Sequence, residues 1–240
     1  MPPQGDMAIC GGCNMENRAV ILLSGGIDSA TTAAIAIDRG FRLHALTFRY
    51  GQKHEVEVSS AGALAGFFRV ERHVLIDIPA GIFRSALTDG SMPVRKNGEP
   101  GLPGDIPDTY VPARNIIFLS YALAYAESIG ATHIFIGATA VDYSGYPDCR
   151  PEFFEAFQAM ADCGTKAGVN GMKIAIETPI IAMTKAEIIR AGASLGVDYS
   201  LTHSCYDPAP GGLACGACDS CLIRKHGFIE AGVPDPTRYR

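Results

Sequence analysis

A run of five apolar residues, 19–23, turns through Ser24-Gly25-Gly26 into an alanine-rich segment, 30–37. Unbroken apolar runs of this length are typical of parallel strands, which are buried on both faces. A strand that passes within a few residues into a helix is one βα unit, and such units repeat to about residue 195. The sequence therefore predicts an α/β fold with a doubly wound, mostly parallel sheet of about five strands, a Rossmann-like arrangement.

Turn and capping residues mark the boundaries of the predicted elements. Thr184 and Glu187 have the spacing of a capping box, and Gly130 suits the C-terminal end of a long helix. The segment 84–108 is rich in Gly and Pro, and we expect it to be a functional loop or lid. The predicted strands are residues 19–23, 42–50, 70–78, 132–138 and 173–177, and the predicted helices are residues 30–37, 54–67, 113–130, 151–167 and 184–195.

Composition limits the class of protein. The 240 residues are 48% hydrophobic, enough for one large domain with a small appendage. No apolar run reaches the ~18 residues of a membrane helix, and the N-terminus lacks signal-peptide features, so we expect a soluble, cytoplasmic protein with no membrane partner. The formal net charge of −5 argues against nucleic acid as the main partner. We expect a flexible leader over residues 1–17, an α/β domain over 18–200 and a C-terminal region over 201–240.

The turn after the first strand has the properties of a phosphate-binding loop. It leaves N–H groups free at a helix N-terminus, where the helix dipole attracts anions. It lacks the Gly-Lys-Ser/Thr of a Walker loop and resembles the SGGxDS loop of ATP pyrophosphatases. The alternative is an ordinary strand–helix turn with Ser or Asp as N-cap. The resemblance implies a Mg²⁺ ligand in Asp28 and ATP binding by Leu23, Ser24, Gly25, Gly26, Ile27, Asp28 and Ser29.

Four of the eight cysteines lie close together near the C-terminus: Cys205, Cys215, Cys218 and Cys221. Four thiolates complete the tetrahedral shell of a structural Zn²⁺ and leave no open position for catalysis. Disulfides are the competing interpretation, and a reducing cytoplasm disfavours them. We therefore expect a structural zinc site that pins the C-terminal tail to the domain. Cys10 and Cys13 form only a weak C-x-x-C signal, since a tail with two free thiols explains them as well.

Motifs at the predicted strand ends extend the resemblance over residues 18–239. With the cysteine pattern, they make the chain similar to the QueC family of 7-cyano-7-deazaguanine synthases, which act in queuosine biosynthesis. The long run ending in Cys-Arg-Pro-Glu-Phe and the four-cysteine tail make this far more specific than the loop alone. The motifs are residues 48–54 (FRYGQKH), 110–115 (YVPARN), 137–153 (GATAVDYSGYPDCRPEF), 204–206 (SCY), 215–221 (CGACDSC) and 235–237 (DPT).

The resemblance implies a fold of the adenine nucleotide alpha hydrolase type and an ATP-dependent ligase reaction. In that reaction 7-carboxy-7-deazaguanine and ammonia become the nitrile through an acyl adenylate and an amide, and AMP and pyrophosphate are released. The partners implied are small molecules, with a second copy of the chain in a homodimer. The ammonia source stays open, because no glutaminase motif is visible.

Candidate site residues follow from the motifs. We expect Asp28, Lys185 and Arg114 to be catalytic, since phosphate transfer needs cations and positioning. Lys185 follows an N-cap, an unfavourable place for a cation unless a phosphate lies nearby. The alternatives to a catalytic role are a solvated surface position for Lys185 and pairing of Arg114 with a nearby carboxylate. The expected substrate-binding residues are Tyr50, Gln52, Arg114, Asn115, Asp142, Tyr143, Tyr146 and Asp148.

The substrate base presents two N–H donors that one carboxylate can accept, so Asp142 and Asp148 are the candidates, and we favour Asp148. Its alternative role is a turn residue that bonds its own backbone. Tyr143 or Tyr146 would stack on the ring. His54 has no assigned role, since a core or capping histidine explains it equally.

Three other functions remain open from the sequence. A related ligase would join the activated carboxylate to a different amine and share these motifs. A tRNA thiolase would need sulfur-handling cysteines and a basic surface, whereas this chain is acidic. A non-enzymatic zinc module that binds nucleic acid or protein would leave the Ser24–Ser29 loop unexplained.

Overall fold

The computed structural model describes residues 17–53, 56–96, 106–140 and 145–240. Five strands form one parallel sheet in the order β3-β2-β1-β4-β5, which confirms the predicted fold class. The strands are β1 (Arg18–Leu22), β2 (Arg42–Arg49), β3 (Arg72–Asp77), β4 (His133–Ile136) and β5 (Ala175–Glu177). The helices are α1 (Ile27–Asp38), α2 (Val56–Phe67), α3 (Arg114–Ile129), α4 (Pro151–Gly164), α5 (Lys166–Val169), α6 (Lys185–Ser194) and α7 (Asp219–Ala231).

The strand order creates a crevice at the centre of the sheet. The chain winds outward from β1 through β2 to β3, then returns to place β4 on the other side of β1. In open parallel sheets of this kind, the connections on the two sides of such a switch point diverge, and ligands bind at the carboxyl ends of the strands there. The sheet therefore locates the site beside the ends of β1 and β4.

Alternate residues of the central strand enter different cores. Val20 and Leu22 pack with α3 and α4 on one face of the sheet, whereas Ala19 and Ile21 pack with α1, α6 and α7 on the other. Since both faces of β1 are covered by helices, its apolar run is unbroken, as parallel strands buried on both faces require.

The predicted boundaries hold to within a few residues, with one break that the sequence analysis missed. The helix predicted over 151–167 ends at Gly164, and Thr165 caps a new short helix by accepting the N–H of Gly168 at 3.0 Å. Gly168 is required there, because a Cβ atom would lie 2.1 Å from the carbonyl oxygen of Asp162. Gly130 ends α3 in the left-handed conformation, and Thr184 and Glu187 form the predicted capping box.

Helix α7 was not predicted. Its buried face consists of Cys221, Arg224, Gly227 and Phe228, which is not an apolar stripe. Phe228 enters the core that contains α1 and α6, so the last forty residues pack on the sheet domain. The division of the chain at residue 200 stays a prediction.

No helix in the described part of the chain combines the length and the apolar character that crossing a membrane requires.

Candidate active site

A cavity opens at the carboxyl edge of the sheet, at the ends of β1 and β4. Its walls are the loop after β1, the first turns of α2 and α3, the residues after β4, and parts of the segment from His203 to Arg224. The expected site residues that line it are Leu23, Ser24, Gly26, Ile27, Asp28, Ser29, Tyr50, Gln52, Arg114, Asn115, Tyr146 and Lys185.

Hydrogen bonds between hydroxyl groups fix the shape of the loop after β1. The Ser29 hydroxyl donates to the carbonyl of Gly26 at 3.0 Å, and it accepts the Ser24 N–H at 3.2 Å and the Ser24 hydroxyl at 3.1 Å. Gly26 is the N-cap of α1, and no side chain caps this helix. The first turn of α1 therefore presents N–H groups at the cavity, as an anion site requires.

Two glycines allow close approach of the backbone to this loop. Gly25 has φ +89°, and a Cβ atom there would lie 2.3 Å from the carbonyl oxygen of Glu57 in α2. At Gly137, after β4, a Cβ atom would lie 2.8 Å from the carbonyl carbon of Asp28. A side chain at either position would move the loop, so glycine is needed for packing as well as for conformation.

Lys185 reaches the same loop from α6. Its Nζ lies 2.5 Å from Oδ1 of Asp28, and the lysine side chain is 13% exposed. The stem of Lys185 lies on Gly227 of α7, where a Cβ atom would be 2.5 Å from Lys185 Cγ. We call the first-turn N–H groups of α1 together with Lys185 the anion site.

Arg114 lies at the opposite wall, in the first turn of α3. The preceding residue, Ala113, adopts the left-handed conformation with φ +53°, which costs an L-residue about 1 kcal/mol. The Arg114 guanidinium and the Tyr50 hydroxyl interact electrostatically. Burial raises the pKa of Tyr50, an effect that the positive charge of Arg114 partly opposes.

Asp148 has a structural partner and does not line the cavity. Its Oδ2 accepts the N–H of Asn115 at 2.9 Å, at the start of α3. The Asn115 side chain donates to the carbonyl of Asp148 at 2.9 Å and to Cys149 Sγ at 3.3 Å. Burial raises the pKa of Asp148 and raises that of Cys149 to about 11. These bonds fasten the segment after β4 to α3, and the expected role of Asp148 toward the base stays a prediction.

Gln52 and Tyr146 also have partners within the protein. The Gln52 side chain accepts the N–H of Tyr50 at 2.7 Å and donates to the carbonyl of Phe48 at 3.1 Å, which closes the turn after β2. The Tyr146 hydroxyl donates to Thr109 Oγ1 at 2.8 Å. Both side chains still border the cavity.

The sequence analysis missed Glu57, a half-buried residue in the first turn of α2 that lines the cavity. Burial raises its pKa to about 7, although Arg114 acts in the opposite direction. Glu57 lies three residues past His54, the last residue of the FRYGQKH motif, and this position near a strand-end motif was the only signal available.

Arg224 was also missed, because its role depends on α7. The guanidinium is 2% exposed and donates to Asp235 Oδ1 at 3.0 Å, Thr202 Oγ1 at 2.8 Å and the carbonyl of Tyr199 at 3.2 Å. These bonds fix α7 against Tyr199 and Thr202, which precede it, and against Asp235 in the C-terminal tail. Ser220 and Ile223 of the same helix line the cavity, so this network holds one wall of the site.

The four cysteines form one cluster, as predicted. All four are buried, and their Sγ atoms lie within 4.8 Å of one another, close to the about 3.8 Å expected between thiolates around one zinc ion. Backbone N–H groups of Tyr206, Asp207 and Cys215 donate to these sulfurs at 3.1–3.5 Å. The four cysteines therefore fit a tetrahedral metal site, and backbone N–H groups bond to the sulfur atoms that would hold the metal.

The Gly- and Pro-rich segment reaches this cluster. Val94 packs against the cysteines, and Lys96 pairs with Cys218 in an isolated antiparallel β-bridge. Leu87 lines the cavity. Residues 97–105 lie outside the described residues, as do Asp142, Tyr143, His54 and residues 1–16 of the leader, with Cys10 and Cys13.

A family model described as "Queuosine biosynthesis protein QueC" matches residues 18–232. The chain belongs to the QueC family. Relatives named 7-cyano-7-deazaguanine synthase include that of Desulfatibacillum aliphaticivorans, 57% identical over 93% of this chain and 97% of the relative. The protein of that name from Ralstonia nicotianae is 56% identical over 94% of this chain and 100% of the relative.

Solved structures are more distant. A 4-thiouridine synthetase in an RNA complex with bound ATP is 18% identical, with a TM-score of 0.49 over 93% of this chain and 47% of that chain. The family membership rests on the sequence relatives, which the chain covers almost completely.

Proposed function

We propose that this chain is an AMP-forming ligase that converts 7-carboxy-7-deazaguanine and ammonia to 7-cyano-7-deazaguanine at the expense of ATP. The observation that carries the proposal is the cavity, which joins the anion site to the Arg114 wall in a chain of the QueC family. Ligases of this type need one site for the nucleotide phosphates and an adjoining site for the carboxylate, and the two walls provide them.

The anion site would hold the pyrophosphate of ATP. No side chain caps the first-turn N–H groups of α1, because the N-cap residue is Gly26. Lys185 adds a cation beside them. One carboxylate with phosphate oxygens and water is a usual donor set for Mg²⁺, and Asp28 is the carboxylate that would hold it. This arrangement stabilises charge on the leaving pyrophosphate, so no covalent protein nucleophile is needed.

The opposite wall would hold the deazaguanine. Arg114 would orient the substrate carboxylate toward the α-phosphate, because it lines the cavity from the first turn of α3 and interacts with Tyr50. Tyr146 and Asn115 border the same space. Asp142 and Tyr143 belong to the same loop by sequence and remain candidates for contacts to the base, beside Asp148.

The residues act chiefly by position. The carboxylate oxygen attacks the α-phosphorus of ATP, and the bond to pyrophosphate breaks while Lys185 and the N–H groups bind the leaving oxygens. Ammonia then displaces AMP to give the amide. A second adenylation on the amide oxygen and loss of AMP leave the nitrile.

The cysteine cluster would hold a structural zinc ion. Because α7 begins at this cluster and lines the cavity, loss of the metal should loosen the tail and the cavity wall together. We also infer a cytoplasmic homodimer that acts on small molecules, as the family resemblance implies; light scattering would measure the oligomeric state.

Mass spectrometry of the products tests the proposal. The protein is incubated with 7-carboxy-7-deazaguanine, ATP, Mg²⁺ and ammonium chloride, with Lys185→Ala as the variant and Glu155→Gln, on the exposed side of α4, as the matched control. Nitrile, AMP and pyrophosphate from wild type and control, with a large loss in the variant, are expected. AMP without nitrile would indicate another acceptor amine, and no ATP turnover would refute the proposal.

A further inference from the structure

The proposed reaction has a proton requirement that the phosphate-binding groups do not meet. Ammonia is mostly ammonium at neutral pH, so one proton must leave nitrogen before its electron pair can attack the acyl carbon. The same nitrogen loses a second proton as the amide forms and two more as the nitrile forms. A general base with a pKa near the working pH is the most effective acceptor for such transfers.

Glu57 contacts the loop after β1 and interacts with Arg114 of the opposite wall. Its backbone carbonyl packs directly on Gly25, the residue before the N-cap of α1, where a Cβ atom would come within 2.3 Å of it. Glu57 is half-buried and lines the cavity together with Arg114. The two side chains interact electrostatically. Glu57 is therefore held between the site for the phosphates and the cation proposed for the substrate carboxylate.

The charged and titratable neighbours leave Glu57 able to exchange protons. Arg114 of α3 favours the ionised carboxylate, Tyr50 at the end of β2 interacts with it, and burial favours the neutral acid. The result is a pKa of about 7, so both protonation states are populated near neutral pH.

Other cavity groups of the described chain are less suited to this task. Asp28 is ion-paired with Lys185, and burial raises the pKa of the Cys149 thiol to about 11. Asp148 does not line the cavity, and its carboxylate accepts the Asn115 N–H. His203 borders the cavity, with its backbone N–H bonded to Gly25, and it is the competitor that the test must include.

We propose that Glu57 is the general base that takes protons from the attacking nitrogen, an assignment that rests on the proposed ligase function. The carboxylate accepts a proton from ammonium, and the nitrogen electron pair forms the C–N bond. The C–O bond to AMP then breaks, AMP leaves with the electron pair, and Glu57 accepts a second proton from the nitrogen to give the neutral amide. In the second adenylation the amide oxygen attacks the α-phosphorus of another ATP, pyrophosphate leaves, and Glu57 accepts one N–H proton. It accepts the last N–H proton as the second C–O bond breaks, AMP leaves and the nitrile forms. Protonated Glu57 returns each proton to water between steps.

The choice of amine tests this role. Hydroxylamine is mostly unprotonated at neutral pH, so it attacks an acyl adenylate without a base and gives the hydroxamate. In Glu57→Gln we expect a 10²- to 10³-fold loss of turnover with ammonium, a hydroxamate rate within about 3-fold of wild type, and an unchanged KM for ATP. Glu155→Gln in α4 is the matched control and should keep both rates.

The possible outcomes separate the inference from the proposed function. Equal losses with both amines in Glu57→Gln would indicate a structural role, and no loss with ammonium would also overturn the inference. The same amine-selective loss in His203→Gln, with Glu57→Gln unaffected, would assign the base to His203. If wild-type protein forms neither amide nor hydroxamate, the proposed function itself fails.

Discussion

Replacement of Gly227 by Ala should displace the Lys185 side chain from the anion site. A Cβ atom at Gly227 would lie 2.5 Å from Cγ and 3.0 Å from Cβ of Lys185, whereas ordinary contacts begin at 3.4 Å. The lysine stem must therefore retreat by about 1 Å, which carries Nζ away from its position 2.5 Å from Asp28. A misplacement of about 1 Å can cost about 10²-fold in rate, and we expect that loss in kcat/KM for ATP.

The same substitution should change stability much less. Overpacking costs about 1–3 kcal/mol, and replacing a helical glycine by alanine returns up to about 1 kcal/mol. The net loss is therefore about 0–2 kcal/mol of the free energy of unfolding, small enough for the variant to fold. Gly62→Ala in α2 is the matched control, since a Cβ atom there meets nothing within 4 Å and the variant should keep full activity.

Pyrophosphate release over a range of ATP concentrations measures the effect, and a double-mutant cycle identifies its route. If Gly227 acts through Lys185, then Gly227→Ala should cost nothing further in a Lys185→Ala background. Losses that multiply would mean that Gly227 acts independently of Lys185. Wild-type kcat/KM in Gly227→Ala would refute the reasoning outright, and a silent Lys185→Ala would instead remove the lysine from the site.

Further expectations follow from individual contacts. Asp148→Asn should lower the free energy of unfolding by about 1 kcal/mol, since a charged acceptor is lost from the first turn of α3, and should raise the KM for the deazaguanine but not for ATP; steady-state kinetics with unchanged values would exclude Asp148 from the site. Ala113→Gly should raise the free energy of unfolding by about 1 kcal/mol, because it relieves a positive φ, and urea denaturation would show it. Chelation of the cluster metal should lower the melting temperature and abolish pyrophosphate release in parallel, both restored by zinc; a stable, fully active metal-free protein would contradict this. Since folding raises the pKa of Glu57 from 4.5 to about 7, the native state binds more protons between these values and stability falls as pH rises through them, by up to about 3 kcal/mol; Glu57→Gln should lose this part of the pH dependence in denaturation curves from pH 4 to 8.

The sheet and the loop after β1 were accessible from the sequence because local patterns determine them. Five apolar runs predicted the strands, and a loop fixed by its own two serines needs only neighbouring residues. The packing around the loop was not accessible in the same way. That Gly25 must admit the carbonyl of Glu57, and Gly137 the backbone of Asp28, follows only from the approach of distant elements.

Helix α7 shows a second limit of sequence reasoning. Its buried face contains a cysteine for the cluster, an arginine for three polar partners and a glycine for Lys185. Such a face has no apolar period of 3.6 residues, and that period is the main signal of a helix in a sequence. The pattern was lost because each position serves a different contact in three dimensions.

The costs to stability at this site share one location. Glu57, whose pKa is raised, lines the cavity. The left-handed Ala113 and the tightly packed Gly25 are each adjacent in sequence to residues that line it. Backbone strain and unfavourable ionisation persist where the surrounding structure over-determines them, and they are most often found at functional sites. Here separate elements hold these residues in place. Helices α2 and α3 bring Glu57 and Arg114 to the cavity, and α7 packs on the stem of Lys185 in α6. The cluster of four cysteines at the start of α7 therefore has a consequence for chemistry without supplying any, because it sets the position of the helix against which the stem of Lys185 packs.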